Sequence, residues 1–477
     1  MVLTKRRDID MTSGPLLSRM LVFIFPLMIT NILQSFYNAA DMIVVGYSAE
    51  ADAVGAIGTT TAFTALVLNL IVGISVGANV VVARHIGAEH PKEASRAVHS
   101  ATLVGLLTGV LGALIGFFIT PAVMEMIGNT GRLLELSILY ARIYFIALPF
   151  HSLSNSAIAI HRAKGDTQTP LIALSATGAL NVALNLFFVL VLHMSVEGVA
   201  IATGIAAAVS SVALYINLMR DRGPCHFSFR LLRPDMQEIK TILRIGLPAG
   251  LQSALFAISN IIIQSSVLQV NNAVTPAGAE YAPVVKANAA VANIASFAFT
   301  AMNAASLATV SFTSQNLGAK HYTRVKRVAA ISYVLLILIS LTISGILLIL
   351  RDSLFALYGI YDLPDELSQI AYRAALIRMW CIWPFYCTSA FMDCGSSILR
   401  GLGKSVLATV SALIGTCALR IVWIYTVFRS LFTLEAIYIS YPISWIVTGI
   451  FLLACVLFQF RRFRHKDGEA EQHTPAV

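Results

Sequence analysis

Asn31, Gln34, Asn38 and Asp41 recur at i, i+3, i+7 and i+10 inside an otherwise apolar run. That spacing lays three amides and one carboxylate along a single stripe of a helix. Such groups are too costly to present to lipid, so the stripe must face protein or water. At 1.5 Å per residue Asp41 stands about 15 Å beyond Asn31 along the helix axis. Asn181 and Asn185, at i and i+4 of another apolar run, and Thr203, early in the next, are the polar groups able to converge on it. The chemistry open to this set is ion handling. A carboxylate held out of water can carry a proton, and one ringed by oxygen donors can hold Na⁺. Residue types alone leave both open, and interhelical hydrogen bonding of about 1 kcal/mol per contact is the structural alternative for the two asparagines and the threonine.

Asp393 is the second acid inside an apolar run. It lies two helical turns before Arg400, so a structural pairing competes with a functional role. Phe36, Tyr37 and Phe63, with Met28 and Met302, are the residues able to line a cavity for flat cationic compounds, although aromatic and Met side chains more often pack. Arg142 and Arg378 fall near the ends of apolar runs, where snorkelling to the interface accounts for them. Arg420 lies deeper and implies a partner that the sequence does not name. No paired acids, His-rich metal spacing or nucleophile arrangement occurs within the apolar runs, which argues against an enzyme and against a bound cofactor. His85, His90 and His99 read as solvated residues of a polar loop.

The elements that must position these residues follow from composition. A chain of 477 residues that is 57% hydrophobic and 12% charged would leave apolar surface exposed if it folded in water. It reads as all-α and integral to the membrane, with twelve spans, among them 16–45, 370–398 and 436–460. Most exceed the ~20 residues that cross ~30 Å of hydrocarbon. Of the 33 Lys and Arg residues, 25 fall in the tails and alternate loops of one face, so both termini are expected on the cytoplasmic side of the plasma membrane. The net charge of +9 has the same origin, and basic loops beside anionic lipid explain it without a nucleic-acid partner. Five of the six cysteines lie within spans and Cys225 lies between the halves, so free thiols are expected. The first apolar run has no small-residue cleavage site and is expected to stay as a span.

The chain also repeats itself. Pro26 is echoed by Pro248, His85–His90 by Asn316–His321, Pro149-Phe150 by Pro384-Phe385, Arg162–Gly165 by Arg400–Gly403, and Glu197 by Glu435. The separation grows from 222 to 238 residues along the chain. One duplicated unit with small insertions fits this drift. The reading is two six-helix lobes, 1–219 and 243–460, joined by a cytoplasmic linker at 220–242 and followed by a cytoplasmic tail at 461–477 that is expected to be unstructured after Lys466. Duplicated bundles are a common architecture of secondary transporters.

Several segments resemble the multidrug and toxic compound extrusion (MATE) family. They are Phe25-Pro26 leading to Ala40-Asp41-Met42-Ile43-Val44-Val45-Gly46, then Ala53–Gly58, His161–Pro170, and Gly198–Thr203. The resemblance implies export of small cationic or amphipathic organic compounds in exchange for H⁺ or Na⁺, by alternating access of two lobes, from a protein expected to be monomeric. In several members the coupling cation is held by an Asp on the first helix, an Asn and an Asp four apart on the fifth, and a Thr on the sixth. These carry over onto Asp41, Asn181 and Thr203, which would supply a Na⁺ site, whereas the second acid is Asn185 here. That exchange removes one negative charge, weakens a Na⁺ site and makes a one-proton mechanism on Asp41 more attractive. Gln34, Asn38 and Asp393 join the aromatic and Met residues as candidates for the substrate cleft. A flippase for lipid-linked saccharides of the same superfamily is the alternative. Its cleft should hold several basic residues, and the spans here offer only Arg142, Arg378 and Arg420.

Overall fold

Where lipid replaces water, backbone N–H and C=O groups must be satisfied within the segment, and a helix does this for an isolated apolar run. The computed structural model describes residues 8–47, 50, 52–276 and 281–472, and every regular element among them is helical. Lys5 to Arg7 and the side chains of Asn38 and of residues from 464 onward lie outside the described residues. The helices are α1 (Leu16–Val45), α2 (Ala53–Gly87), α3 (Pro91–Ile127), α4 (Gly131–Lys164), α5 (Gln168–Leu186), α6 (Val196–Met219), α7 (Met236–Val274), α8 (Pro283–Gly318), α9 (Tyr322–Ile349), α10 (Arg351–Leu357), α11 (Asp365–Ile382) and α12 (Tyr386–Gly401). After these come α13 (Ser405–Ala412), α14 (Leu419–Trp423), α15 (Arg429–Leu431), α16 (Leu434–Tyr438) and α17 (Ser440–Gln472). A π-helical turn extends α5 over Phe187–Val191, and two more, Leu413–Ala418 and Ile424–Phe428, join α13 to α15.

Among the described residues, eleven segments are long and apolar enough to cross a membrane. The span expected at 370–398 is missing from them because it is broken. Pro384 lacks the N–H that would continue the helix, so Trp383–Phe385 forms a 3-10 turn between α11 and α12. Its repeat counterpart Pro149 stays inside the unbroken α4. The last helix runs on to Gln472, so the tail expected to be unstructured after Lys466 is helical to that point.

The chain forms two compact units. The first takes the chain up to Ser253 together with Ser314–His321, and the second takes Ala254–Thr313 with Tyr322 onward. The passage from one unit to the other therefore falls within α7, beyond the polar linker. In the first unit α4 packs on α2, α3 and α6, while α1 packs on α5 and α5 on α6. In the second, α12 packs on α9, α13 and α17, and α11 on α16.

Glycines set how closely helices of the first unit approach. A Cβ on Gly73 would fall 2.2 Å from the Gly250 nitrogen, and one on Gly77 would fall 2.3 Å from the Ile242 carbonyl oxygen. The pair Gly73-x3-Gly77 on α2 thus meets Gly246-x3-Gly250 on α7, backbone to backbone. The ends of α2 and α8 meet by the logic of the repeat. A Cβ on Gly87 would lie 1.9 Å from the Gln315 carbonyl oxygen, and one on its counterpart Gly318 would lie 2.0 Å from that of Arg84. Gly165 and its counterpart Gly403 both end helices with positive φ, 95° and 75°.

Residues between α6 and α7 are tied to the first unit. Cys225 and Phe227 are buried, and all six cysteines are free thiols. Burial, the dominant influence, pushes the Cys225 thiol up to about 12. His99 is not the solvated loop residue expected from sequence. It is buried in α3, bonds the Ser95 carbonyl at 2.7 Å and stacks on Phe227. His85 pairs with Glu238 at 3.0 Å. At the start of α5, Asp166 accepts from the Thr169 N–H at 2.9 Å, from the Thr169 hydroxyl and from His161 Nδ1 at 3.2 Å. Burial would raise the Asp166 carboxyl, but these bonds outweigh it and hold the group below the usual carboxylate range.

Candidate functional site

The site in the first unit is built where α1 meets α5. Tyr37 lies across Gly178, where a Cβ would sit 1.8 Å from the ring, and its hydroxyl donates to the Ser175 carbonyl at 3.2 Å. One turn beyond Tyr37, Asp41 reaches the α5 asparagines, which stand three and seven residues beyond Gly178. Asn185 Nδ2 donates to Asp41 Oδ1 at 2.5 Å and also contacts Asn181 Oδ1 at 3.4 Å. Asn181 Nδ2 donates to Thr203 Oγ1 on α6 at 3.3 Å. Asn181 and Asn185 are buried, and Asn185 Oδ1 has no hydrogen-bond partner. The four residues thus form one connected chain across three helices.

A cavity of about 310 Å³ opens on this chain and is lined by Asp41, Asn181, Thr203, Gln34 and Tyr37, and by a row from α4. Tyr140, Tyr144 and His151 make that row, with ring centroids 6.3 Å apart for the tyrosines and 5.4 Å from Tyr144 to His151. Asp41 is the one acid lining it among the described residues. The α4 row escaped the reading of the sequence. Its i, i+4, i+11 spacing was the available signal, but in so apolar a span it does not stand out from packing. Phe36 is more than half exposed and does not line this cavity. Phe63 packs edge-on against Phe145, with centroids 5.1 Å apart, in a cluster with Ile71 and Leu148. Met302 is buried in the core of the second unit. The Asn38 side chain lies outside the described residues.

The second unit has a cavity of its own, about 460 Å³, lined by Asp393, Arg378 and Arg420 among others. Arg378 donates to Asn288 Oδ1 and lies 5.1 Å from the Tyr438 ring. Tyr438 donates to the same oxygen at 3.0 Å. Arg142 sits 4.8 Å over the Phe117 ring.

Duplicated apolar helices, with one carboxylate hydrogen-bonded to a buried amide, are the architecture expected of a membrane carrier. The chain belongs to the MATE family, whose MatE profile matches residues 26–187 and 248–426, once in each half. It is a membrane transporter and not an enzyme. A probable multidrug resistance protein of Bacillus subtilis, YoeA, is 27% identical over 76% of this chain and 77% of its own length. The multidrug export protein MepA of Staphylococcus aureus is 23% identical over 52% of this chain and 55% of its own. Among solved structures, a MATE protein in a bent conformation aligns over 98% of this chain and 100% of its own with a TM-score of 0.86 and 20% identity. An outward-facing multidrug resistance MATE transporter aligns over 97% of this chain and 100% of its own, again at 0.86 and 20%. Such likenesses show the fold: twelve spans in two lobes.

Proposed function

We propose that the chain is a secondary antiporter of the plasma membrane, with both termini cytoplasmic, that exports cationic or amphipathic organic compounds in exchange for H⁺ or Na⁺. The observation that carries this reading is the bond from Asn185 to Asp41, which ties one membrane-embedded carboxylate to a cavity large enough for part of an organic molecule. A charged acceptor makes that bond stronger than a neutral one, about 1.5–3 kcal/mol. Protonation of Asp41, or Na⁺ drawn into the oxygens of Asp41, Asn181 and Thr203, would rearrange the chain of bonds. Since α1 carries both Asp41 and the cavity residues Gln34 and Tyr37, the change at the ion is passed to the substrate surface. Pro26, one helical turn before Thr30, supplies a bending point on the same helix. Coupling requires the ion to bind the two facing states unequally.

H⁺ is favoured over Na⁺ because Asp41 is the one carboxylate in the set, and neutral amides offer a cation less than a second acid would. The names of YoeA and MepA support organic drugs as cargo. The test is ethidium efflux from proteoliposomes under a pH gradient, a Na⁺ gradient, or neither. Efflux under one gradient alone names the ion. Equal efflux with and without gradients contradicts the antiport.

A further inference from the structure

The cavity of the second unit holds a buried cation with an open valence. Arg420 lies between the π-helical turns Leu413–Ala418 and Ile424–Phe428 and is 6% exposed. Its Nε donates to Ser444 Oγ at 2.9 Å, and its guanidinium carbon lies 4.1 Å over the Tyr441 ring and 5.7 Å from that of Trp445. One terminal nitrogen is buried with no hydrogen-bond partner, and no carboxylate pairs with Arg420 among the described residues. A guanidinium cannot discard its charge, so the unmet donor cannot be relieved by deprotonation. Contact with the aromatic faces offsets part of the cost of holding it out of water, but leaves the donor unfilled.

Asp393, the acid of this cavity, does not fill that role. Its charge interacts with that of Arg400, and it makes no ion pair with Arg420. Arg378 is already engaged with Asn288. The charged side chains lining the cavity are these two arginines and Asp393, which leaves one net positive charge. A planar fork with a free arm, backed by aromatic rings, matches a carboxylate carried on a flat ring. Tyr386, 5.9 Å from Trp445 and 5.4 Å from Phe299 between ring centroids, extends the aromatic wall across the cavity.

We infer that this cavity is a binding site for aromatic carboxylates, with Arg420 taking the carboxylate and Tyr441 and Trp445 flanking the ring. Arg420 is thereby a specificity-determining residue for cargo. This assignment rests on the transporter reading for its physiological meaning and extends that reading to organic anions and zwitterions.

The test uses the purified full chain in detergent and measures binding of 2-naphthoate, 2-naphthylmethanol and 2-naphthylmethylammonium by equilibrium dialysis. These probes share a ring and differ in charge. The wild-type protein should bind the carboxylate at least tenfold tighter than the alcohol. Equal affinity for the three, or a preference for the ammonium compound, overturns the assignment without recourse to any variant. Arg420→Gln should remove the preference for naphthoate, and Arg420→Lys, which keeps the charge but loses the fork, should retain part of it. Undiminished naphthoate preference in Arg420→Gln also overturns it. Naphthoate binding through Arg420 in a protein that neither gradient drives would sink the antiport reading and leave this one standing. Gradient-driven ethidium efflux without naphthoate preference would do the reverse.

Discussion

Asn185 Nδ2 lies 2.5 Å from Asp41 Oδ1, which makes an amide on α5 the direct hydrogen-bond donor to the lone carboxylate of α1. The position matters because an acid there would confront Asp41 with a like charge, whereas the amide donates to it. On the proposed role of Asp41, the identity of residue 185 should tune which ion it takes.

Asn185→Asp should move coupling toward Na⁺. Two carboxylates at hydrogen-bond distance repel, and a bound cation relieves that repulsion better than it relieves one charge. Ethidium efflux by this variant should become at least tenfold more responsive to a Na⁺ gradient than in the wild type. Asn185→Ala, which removes the donor and about 1.5–3 kcal/mol of charge-assisted bonding, should weaken coupling to either ion by tenfold or more. A Na⁺ response unchanged in Asn185→Asp contradicts this role.

The crossing of α2 and α7 predicts two opposite outcomes for glycine replacements on one helix. Gly73→Val places a side chain 2.2 Å from the Gly250 backbone nitrogen, where nothing can give, so the variant should lose monodisperse protein on size-exclusion chromatography. A methyl group added at Gly58 would meet nothing within 4 Å, and Gly58→Ala should raise the melting temperature through an entropic gain of up to about 1 kcal/mol. Similar behaviour of the two variants would mean that close approach does not set this crossing.

Asp166 predicts a pH signature in stability. Its folded-state pKa is depressed by bonds from His161 and Thr169 that outweigh burial, so its contribution is present above the unfolded-state value and lost as pH falls through the lower folded one. Asp166→Asn should therefore cost about 1–3 kcal/mol, read as a lowered melting temperature in detergent. The deficit should be flat from pH 5 to 8 and should close only below about pH 4, under the ordinary carboxylate range. A deficit that grows on acidification contradicts the sign of the shift.

Much of this architecture was legible in residue spacing, and the exceptions have physical causes. The stripe through Gln34 and Asp41 and the i, i+4 pair Asn181 and Asn185 could be read because polar groups in apolar runs are conspicuous. The spacing Gly73-x3-Gly77 permits close helix approach, but the partner glycines on α7 lie about 170 to 180 residues on, beyond any local pattern. The break at Pro384 was hidden because Pro149, at the matching place, is accommodated inside α4. Phe63 and Met302 illustrate the converse. An aromatic or Met residue in a span carries no mark of whether it faces a cavity or a core, and these two pack. His99 looked solvated because its partner Phe227 comes from the far side of α6 in sequence.

The central claim is that Asp41 carries the coupling ion. Its most direct test compares wild-type protein and Asp41→Asn in the same proteoliposomes, with ethidium efflux driven by an imposed gradient of the ion that works for the wild type and ethidium self-exchange measured without any gradient. The account predicts that Asp41→Asn loses gradient-driven efflux while retaining self-exchange. Gradient-driven efflux by Asp41→Asn at the wild-type rate would contradict it.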